Sequence, residues 1–204
     1  MKTIASLFAA IFILTGCATT SGGFQQDADV VRLKHLEYYG GLIEEYHSKT
    51  GEYPLQGRYN IPAYVHVAHD KQIKYTKQGP PYKHEVIEFK QLVSELESVL
   101  GRDLKEFYDP QFAPDSKPNF YIYLVLEDRY YFDIHIHQAY AFSKPVAKNY
   151  HKVEISSNPG PGSGAKKPES LFSDPAFITA KNVTVSKAAF FDKREALYLR
   201  HTKQ

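Results

Sequence analysis

The sequence predicts an α+β fold in which an N-terminal amphipathic helix and a second helix pack on a mainly antiparallel β-sheet. Two segments repeat apolar residues at the three- and four-residue spacing of a helix. Residues 119–142 instead alternate apolar residues with polar or aromatic ones, as strands do. Hairpin connections between these strands, together with the two helices, make α+β the predicted class.

The composition excludes several classes of protein. The 204 residues suit one domain of ordinary size. Because 25 Lys and Arg residues nearly balance 23 Asp and Glu residues, the net charge of +2 is too small for an electrostatic grip on nucleic acid. The hydrophobic content of 43% argues against wholesale disorder, and a single Cys rules out a disulfide framework.

The N-terminus has the pattern of an export signal. Lys2 precedes an uncharged, mostly apolar stretch from Ile4 to Leu14. This stretch is too short to cross a bilayer as a helix, which takes about 20 residues. A basic residue, a short apolar stretch and then small residues predict a signal peptide that is removed.

The segment Leu14-Thr15-Gly16-Cys17 resembles the lipobox of bacterial lipoproteins. The resemblance implies cleavage between Gly16 and Cys17, diacylglycerol on the Cys17 thiol, and often a further acyl chain such as palmitate on the new amino end. Two or three such chains hold a protein durably on a membrane. Ala18, instead of Asp, after the Cys favours the outer membrane of an enteric-type cell. The alternative is an ordinary secretory peptide in which Cys17 follows Gly16 by coincidence.

The first helix is predicted from Asp29 to Ser48, with apolar residues on one broad arc and charged residues on the other. Gly51 and Pro54 mark its end. The pair Gly40-Gly41 in its middle costs roughly 1 kcal/mol per residue relative to Ala, and permits close packing or a bend.

The segment from Leu42 to Pro54, LIEEYHSKTGEYP, resembles the helix end of type II secretion pseudopilins. That family often ends its long helix with a Tyr, a short polar stretch and Gly-x-Tyr-Pro before an antiparallel sheet. The resemblance covers a small part of the chain and implies a helix packed on a sheet. No functional residues are carried over, because Cys17 stands where pseudopilins continue an apolar helix that stacks subunits into filaments.

A second helix is predicted from Phe89 to a stop at Gly101. Strands are predicted over 63–68 and 150–156, with a further candidate over 71–76. Within 119–142, we expect Leu124 near Phe132 across a loop of three or five residues, because that register puts Ile122, Leu124, Phe132 and Ile134 on one face. A two-residue turn would contradict this register.

The chain therefore divides into five parts. Residues 1–16 are the signal peptide, 17–28 a flexible tether rich in small residues, and 29–158 the α+β domain. Residues 159–168 are a Pro/Gly loop, and 169–204 a C-terminal segment packed on the domain. That segment is predicted to hold a short helix near 174–180 and a last element over 183–199.

The sharpest candidate site is Asp133-x-His135-x-His137, because residues two apart on a strand share a face and could reach one divalent cation. A zinc site needs a further ligand, for which His66, His69 or His151 are candidates. The alternative is a polar outer sheet face on which the histidines stack on tyrosines.

Tyrosines form a second candidate site, since the chain has 16 Tyr and no Trp. If Tyr121, Tyr123 and Tyr131 face solvent, they could stack on a cell-wall glycan or seat an envelope protein. The alternative is that they complete the core.

Together these patterns predict a lipid-anchored protein that faces the periplasm. We expect a non-enzymatic binding or assembly component of the cell envelope, with no cofactor. The alternative is a metal-binding protein or a metal-dependent enzyme centred on Asp133, His135 and His137.

Overall fold

The structure, a computed structural model, describes residues 21–58, 63–68, 86–107, 109–110, 121–148 and 150–185. For residues 21–25, 63–68 and 86–88 it describes the backbone only. In chain order the elements are α1 (Ser21–Thr50), β1 (Ala63–Ala68), β2 (Val86–Glu88), α2 (Phe89–Leu100), β3 (Tyr121–Val125), β4 (Tyr130–Ile136), β5 (Lys144–Ala147), β6 (Tyr150–Ser156), α3 (Pro168–Phe172) and α4 (Pro175–Lys181).

The described strands form one sheet with the order β2-β1-β3-β4-β6-β5. Strands β1 and β2 are parallel, and the other neighbouring pairs are antiparallel. The predicted class, α+β with helices on a mainly antiparallel sheet, is confirmed. Strands β1 and β6 have the predicted bounds, and α2 ends at Leu100 before Gly101, whose φ is +69°. The candidate strand over 71–76 lies outside the described residues.

Helix α1 begins earlier than the sequence predicts. It starts at Ser21, so the part of the predicted flexible tether from residue 21 to 28 is helical, which corrects that prediction. The helix that begins among these small residues becomes part of the core at Ala28 and Val30, which are buried. Residues 17–20 lie outside the described residues.

More of the circumference of α1 is buried than an amphipathic pattern predicts. From Ala28 to Ile43 most of its side chains are buried, and Lys34 and Glu37 on the predicted polar arc are half-buried. The sheet, α2, and the two C-terminal helices α3 and α4 all contact α1. Lys181 of α4 pairs with Glu37, so the C-terminal segment covers part of the side predicted to face solvent.

Gly40 is the point of closest approach between α1 and its neighbours. A Cβ atom there would lie 2.5 Å from Ile155 Cδ1 of β6 and 2.9 Å from Phe172 Cζ of α3. At Gly41 a Cβ atom would meet nothing within 4 Å. The first glycine therefore permits close packing, whereas the second faces open space.

The β3–β4 hairpin has a different register from the predicted one. Val125 pairs with Tyr130 and Tyr123 with Phe132, and a two-residue turn, Glu127-Asp128, joins the strands. The expected pairing of Leu124 with Phe132 is therefore wrong. As a result the tyrosines of β3, and not its Ile and Leu, face α1 together with Phe132.

The Pro/Gly loop returns along β6 and leads into α3. The backbone N–H of Lys166 donates to Glu154 O at 3.0 Å, and the N–H of Ser156 donates to Lys166 O at 2.9 Å. Beyond it, Leu171 and Phe177 are fully buried. Helix α4 lies one residue from its predicted position, and of the predicted element over 183–199 only residues 183–185 are described, without regular structure.

Candidate functional site

Asp133 and His135 lie on the outer face of the sheet, which is the face opposite α1. They alternate along β4 with Phe132 and Ile134, which face the core. Across the β4–β6 ladder, Asp133 pairs with Glu154 and His135 with Lys152. The sequence prediction that spacing two puts Asp133 and His135 on one face is therefore correct.

His137 does not join them. It follows the end of β4, and its Nδ1 lies 3.3 Å from Asp29 Oδ1 on α1. Arg32 Nη1 is also 3.3 Å from His137 Nδ1. The predicted set of Asp133, His135 and His137 is thus divided between two separate clusters, because the chain leaves the strand after Ile136.

The carboxyl group of Asp133 is buried without full hydrogen bonding. Its side chain is 8% exposed, and no hydrogen-bonding group of the described chain reaches Oδ1. His135 Nδ1 lies 3.9 Å from Oδ1, and Lys152 Nζ lies 4.0 Å from Oδ2. Burial raises the pKa of Asp133 to about 8, against the opposing attraction of Lys152, and Glu154 raises it further. The group is therefore largely protonated at neutral pH.

The other proposed metal ligands do not complete the set. His151 pairs with Ile136, so it lies on the opposite face of the sheet from His135. His66 belongs to β1, whose side chains are not described, and His69 lies outside the described residues. Among the residues that the structure does describe, no three His, Cys, Asp or Glu side chains are grouped so that they could hold a metal ion.

A buried charged cluster lies on the inner side of the sheet, and sequence reasoning missed it. Arg32 of α1 is fully buried, and its guanidinium binds Asp109 through Nε–Oδ2 at 2.8 Å and Nη2–Oδ1 at 2.9 Å. Its Nη1 donates to Asp29 Oδ1 at 2.7 Å. Burial opposes the charge, but Asp109 and Asp29 together raise the pKa of Arg32 above its ordinary value.

Asp29 joins this cluster to the end of β4. Its Oδ2 accepts hydrogen bonds from the backbone N–H groups of His137 and Gln138, both at 2.8 Å. One carboxylate thus binds both an arginine of its own helix and the backbone of the sheet. The charges are paired inside the protein, so the cluster positions α1 on the sheet.

His35 extends the cluster towards the core. Its Nδ1 lies 2.5 Å from the Tyr121 hydroxyl, and its ring stacks on Phe107 with centroids 4.6 Å apart. Burial, reinforced by the positive charge of Arg32, lowers the pKa of His35 to about 3. His35 is therefore neutral inside the fold at physiological pH.

A sequence signal for this cluster exists only in part. Asp29 and Arg32 are spaced by three on a helix, which brings their side chains together. Because they precede an apolar helix face, their spacing could have indicated a buried pair. Nothing in the sequence near Asp109 points to Arg32.

The three tyrosines of the predicted binding surface do not lie on one exposed face. Tyr121 and Tyr123 are 4% and 0% exposed, so the prediction that they form a binding surface is wrong and the core alternative is correct for them. The hydroxyl of Tyr123 donates to Pro54 O at 2.9 Å. Tyr131 lies on the outer face, half-buried, where its hydroxyl accepts from Gly160 N at 3.3 Å.

Gly16 and Cys17, the predicted cleavage and lipidation residues, lie outside the described residues. In the described part of the chain, no helix has the combined length and apolar character that crossing a membrane requires. No family model, curated protein or solved structure matches this chain.

Proposed function

We propose that this protein is an exported lipoprotein, anchored through Cys17 to a bacterial membrane and acting in the periplasm as a non-enzymatic binding or assembly component of the cell envelope. The observation that carries the proposal is the segment Leu14-Thr15-Gly16-Cys17, directly after the apolar stretch of a signal peptide. Ala18 after the Cys favours the outer membrane. Two or three acyl chains would make the attachment durable.

The described residues do not bring together the side chains that the metal-dependent alternative requires. Asp133 and His135 are separated from His137, which binds Asp29. The charged groups of the inner cluster bind one another, so they are not available to a substrate. These contacts give the alternative no converging set of groups in the part of the chain that is described.

The anchor is tested by mass spectrometry of the mature N-terminus, with fractionation of the producing cells. We expect the chain to begin at Cys17, to carry acyl chains and to remain in the membrane fraction. In Cys17→Ser these chains should be lost. A matched control is Cys17→Ser combined with Thr20→Cys, which keeps one thiol near the same place but outside the lipobox and should not be acylated. An unacylated native chain with residues 1–16 still attached would contradict the proposal.

The binding role is tested by crosslinking in intact envelopes, followed by identification of the captured molecules. A specific membrane protein or wall glycan supports the role. Metal analysis of untagged protein tests the alternative: a stoichiometric metal that is lost in His135→Ala would favour a metal-dependent function instead.

A further inference from the structure

One end of the domain lies closer to Cys17 than the other end does. The near end consists of the start of α1 and the loop Gln138–Ser143, and we call it the proximal face. We propose that the proximal face lies against the lipid headgroups of the membrane and that α1 points away from the bilayer. This inference rests on the proposed acylation of Cys17.

The short distance between Cys17 and α1 is the first argument. The helix starts at Ser21, four positions after Cys17. Consecutive Cα atoms are about 3.8 Å apart, so the two Cα atoms can be separated by at most about 15 Å. From Ser21 to Ala28, where full burial begins, the helix adds only about 10 Å at 1.5 Å per residue. A tether that was extended through residue 28 would allow about 40 Å.

The second argument is that α1 is held firmly to the sheet at this end. Asp29 accepts from the backbone of His137 and Gln138, and Arg32 binds Asp109 in a bidentate pair. The first buried turn of α1 therefore cannot swing relative to the loop that follows β4. Where the start of the helix is held near lipid, the Gln138–Ser143 loop is held near lipid as well.

The third argument is the composition of the Gln138–Ser143 loop. The loop Gln138–Ser143 has the sequence QAYAFS, with no charged residue; Ala139 and Ala141 are exposed, and Tyr140 is half-buried. Small uncharged residues and an aromatic ring with a polar tip suit the interface of a bilayer. At the opposite end, the β3–β4 turn exposes Glu127 and Asp128, and Asp128 forms an ion pair with Arg129.

The two ends are fixed relative to α1 by hydrogen bonds. Gln56, just after the helix, donates through Nε2 to Glu127 O at 2.7 Å, whereas Asp29 binds the Gln138 end. From Ala28 to Thr50 the helix rises about 33 Å at 1.5 Å per residue. The β3–β4 turn should therefore lie roughly 30 Å further from the bilayer than Ala139.

This orientation is tested with two single-cysteine variants, Ala139→Cys and Asp128→Cys. The acylated sulfur of Cys17 does not react with thiol labels, so each variant carries one label. The acylated full chain is reconstituted in vesicles of phosphatidylethanolamine and phosphatidylglycerol with an acceptor dye on a headgroup, and energy transfer from each label is measured. Ala141→Cys and Glu127→Cys replace either variant if circular dichroism shows misfolding.

We expect clearly higher transfer from position 139, corresponding to a distance difference of about 30 Å. An insertion of about ten Gly and Ser residues between Thr20 and Ser21 gives a flexible tether and should reduce this difference strongly. Equal transfer from both positions, or higher transfer from position 128, would overturn the orientation. Mass spectrometry of the same sample separates the two proposals, since an acylated chain with equal transfer overturns only the orientation, whereas a chain without acyl groups overturns the anchor and the orientation with it.

Discussion

The two adjacent glycines of α1 provide a matched pair of substitutions for testing the packing of the helix. Gly40 faces Ile155 and Phe172, whereas Gly41 is exposed and has open space around it. Gly40→Ala and Gly41→Ala change the same residue type at neighbouring positions of one helix. The change in helix propensity is therefore the same in both, and the difference between them reports the packing alone.

The magnitudes follow from the distances. Each Ala should stabilise the helix by about 1 kcal/mol relative to Gly. At Gly40, however, the new methyl would lie 2.5 Å from Ile155 Cδ1 and 2.9 Å from Phe172 Cζ. Carbon atoms prefer about 3.5–4.0 Å, so both neighbours would have to shift by about 1 Å. Ile155 is fully buried, so overpacking should cost about 1–3 kcal/mol. We expect Gly41→Ala to gain up to about 1 kcal/mol and Gly40→Ala to lie about 1–3 kcal/mol below it.

The assay is urea unfolding followed by circular dichroism, with free energies of unfolding compared at constant m-value. A double-mutant cycle identifies the atom responsible. Ile155→Val removes Cδ1, the nearest atom to the new methyl, and alone should cost about 0.5–1.5 kcal/mol. Combined with Gly40→Ala it should cost less than the sum of the two single changes.

Two results would refute this reasoning. If Gly40→Ala is as stable as Gly41→Ala within about 0.5 kcal/mol, α1 does not approach β6 and α3 as closely as described. If the two changes at Gly40 and Ile155 are simply additive, the contact between them does not exist.

Three further predictions concern the buried titratable groups. Because the folded pKa of Asp133 is raised to about 8, the folded protein keeps this proton when the unfolded chain has lost it. Stability should therefore fall with rising pH, by on the order of 1 kcal/mol per pH unit from pH 6.5 to 7.5, and in Asp133→Asn this fall should disappear. Because the folded pKa of His35 is lowered to about 3, the unfolded chain binds a proton below pH 6.5 that the folded protein does not bind. The His35 contribution to stability should therefore rise with pH between 4.5 and 6 and offset the fall that Asp133 causes. In His35→Gln the free energy of unfolding should then fall with rising pH over this range. Arg32→Met should cost about 3–5 kcal/mol, because it leaves Asp29 and Asp109 buried without their cation.

Each of these predictions has a measurement that can contradict it. Urea unfolding at several pH values gives the slopes, and an Asp133→Asn protein with the wild-type slope above pH 6.5 would mean that this carboxyl is ionised in the fold. A His35→Gln protein with no slope between pH 4.5 and 6 would remove the cancellation. A loss below about 1 kcal/mol in Arg32→Met would mean that water reaches the two carboxylates.

The failure at the β3–β4 hairpin has a specific physical cause. Along β3 two aliphatic residues alternate with Tyr121 and Tyr123, and hydrophobicity favours the aliphatic set for the core. The tyrosine rings bury more apolar area, and they can face inward because their hydroxyls reach His35 and Pro54. Those partners lie 86 and 69 residues away in the chain, so no local pattern indicates them.

The predicted metal site was correct only for the two residues that lie within strand β4. Spacing two along a strand does put Asp133 and His135 on one face, because that relation is local. It does not extend to His137, since the strand ends at Ile136 and Asp29 binds the next residue from another element. A pattern predicts a shared face only as far as its secondary structure continues.

The sequence by itself determined the class of the fold, the bounds of strands β1 and β6, and the end of α2 at Gly101, because apolar spacing and glycine stops act between near neighbours. It is also the basis of the proposed anchor at Cys17. Tertiary structure decided which face of β3 is buried and which glycine of α1 needs to lack a side chain. It also decided that Arg32 pairs with Asp109, 77 residues away. These outcomes depend on partners that only packing brings together. Because burying a polar group without a hydrogen-bonding partner costs free energy, the arrangement in which most such groups are paired is favoured.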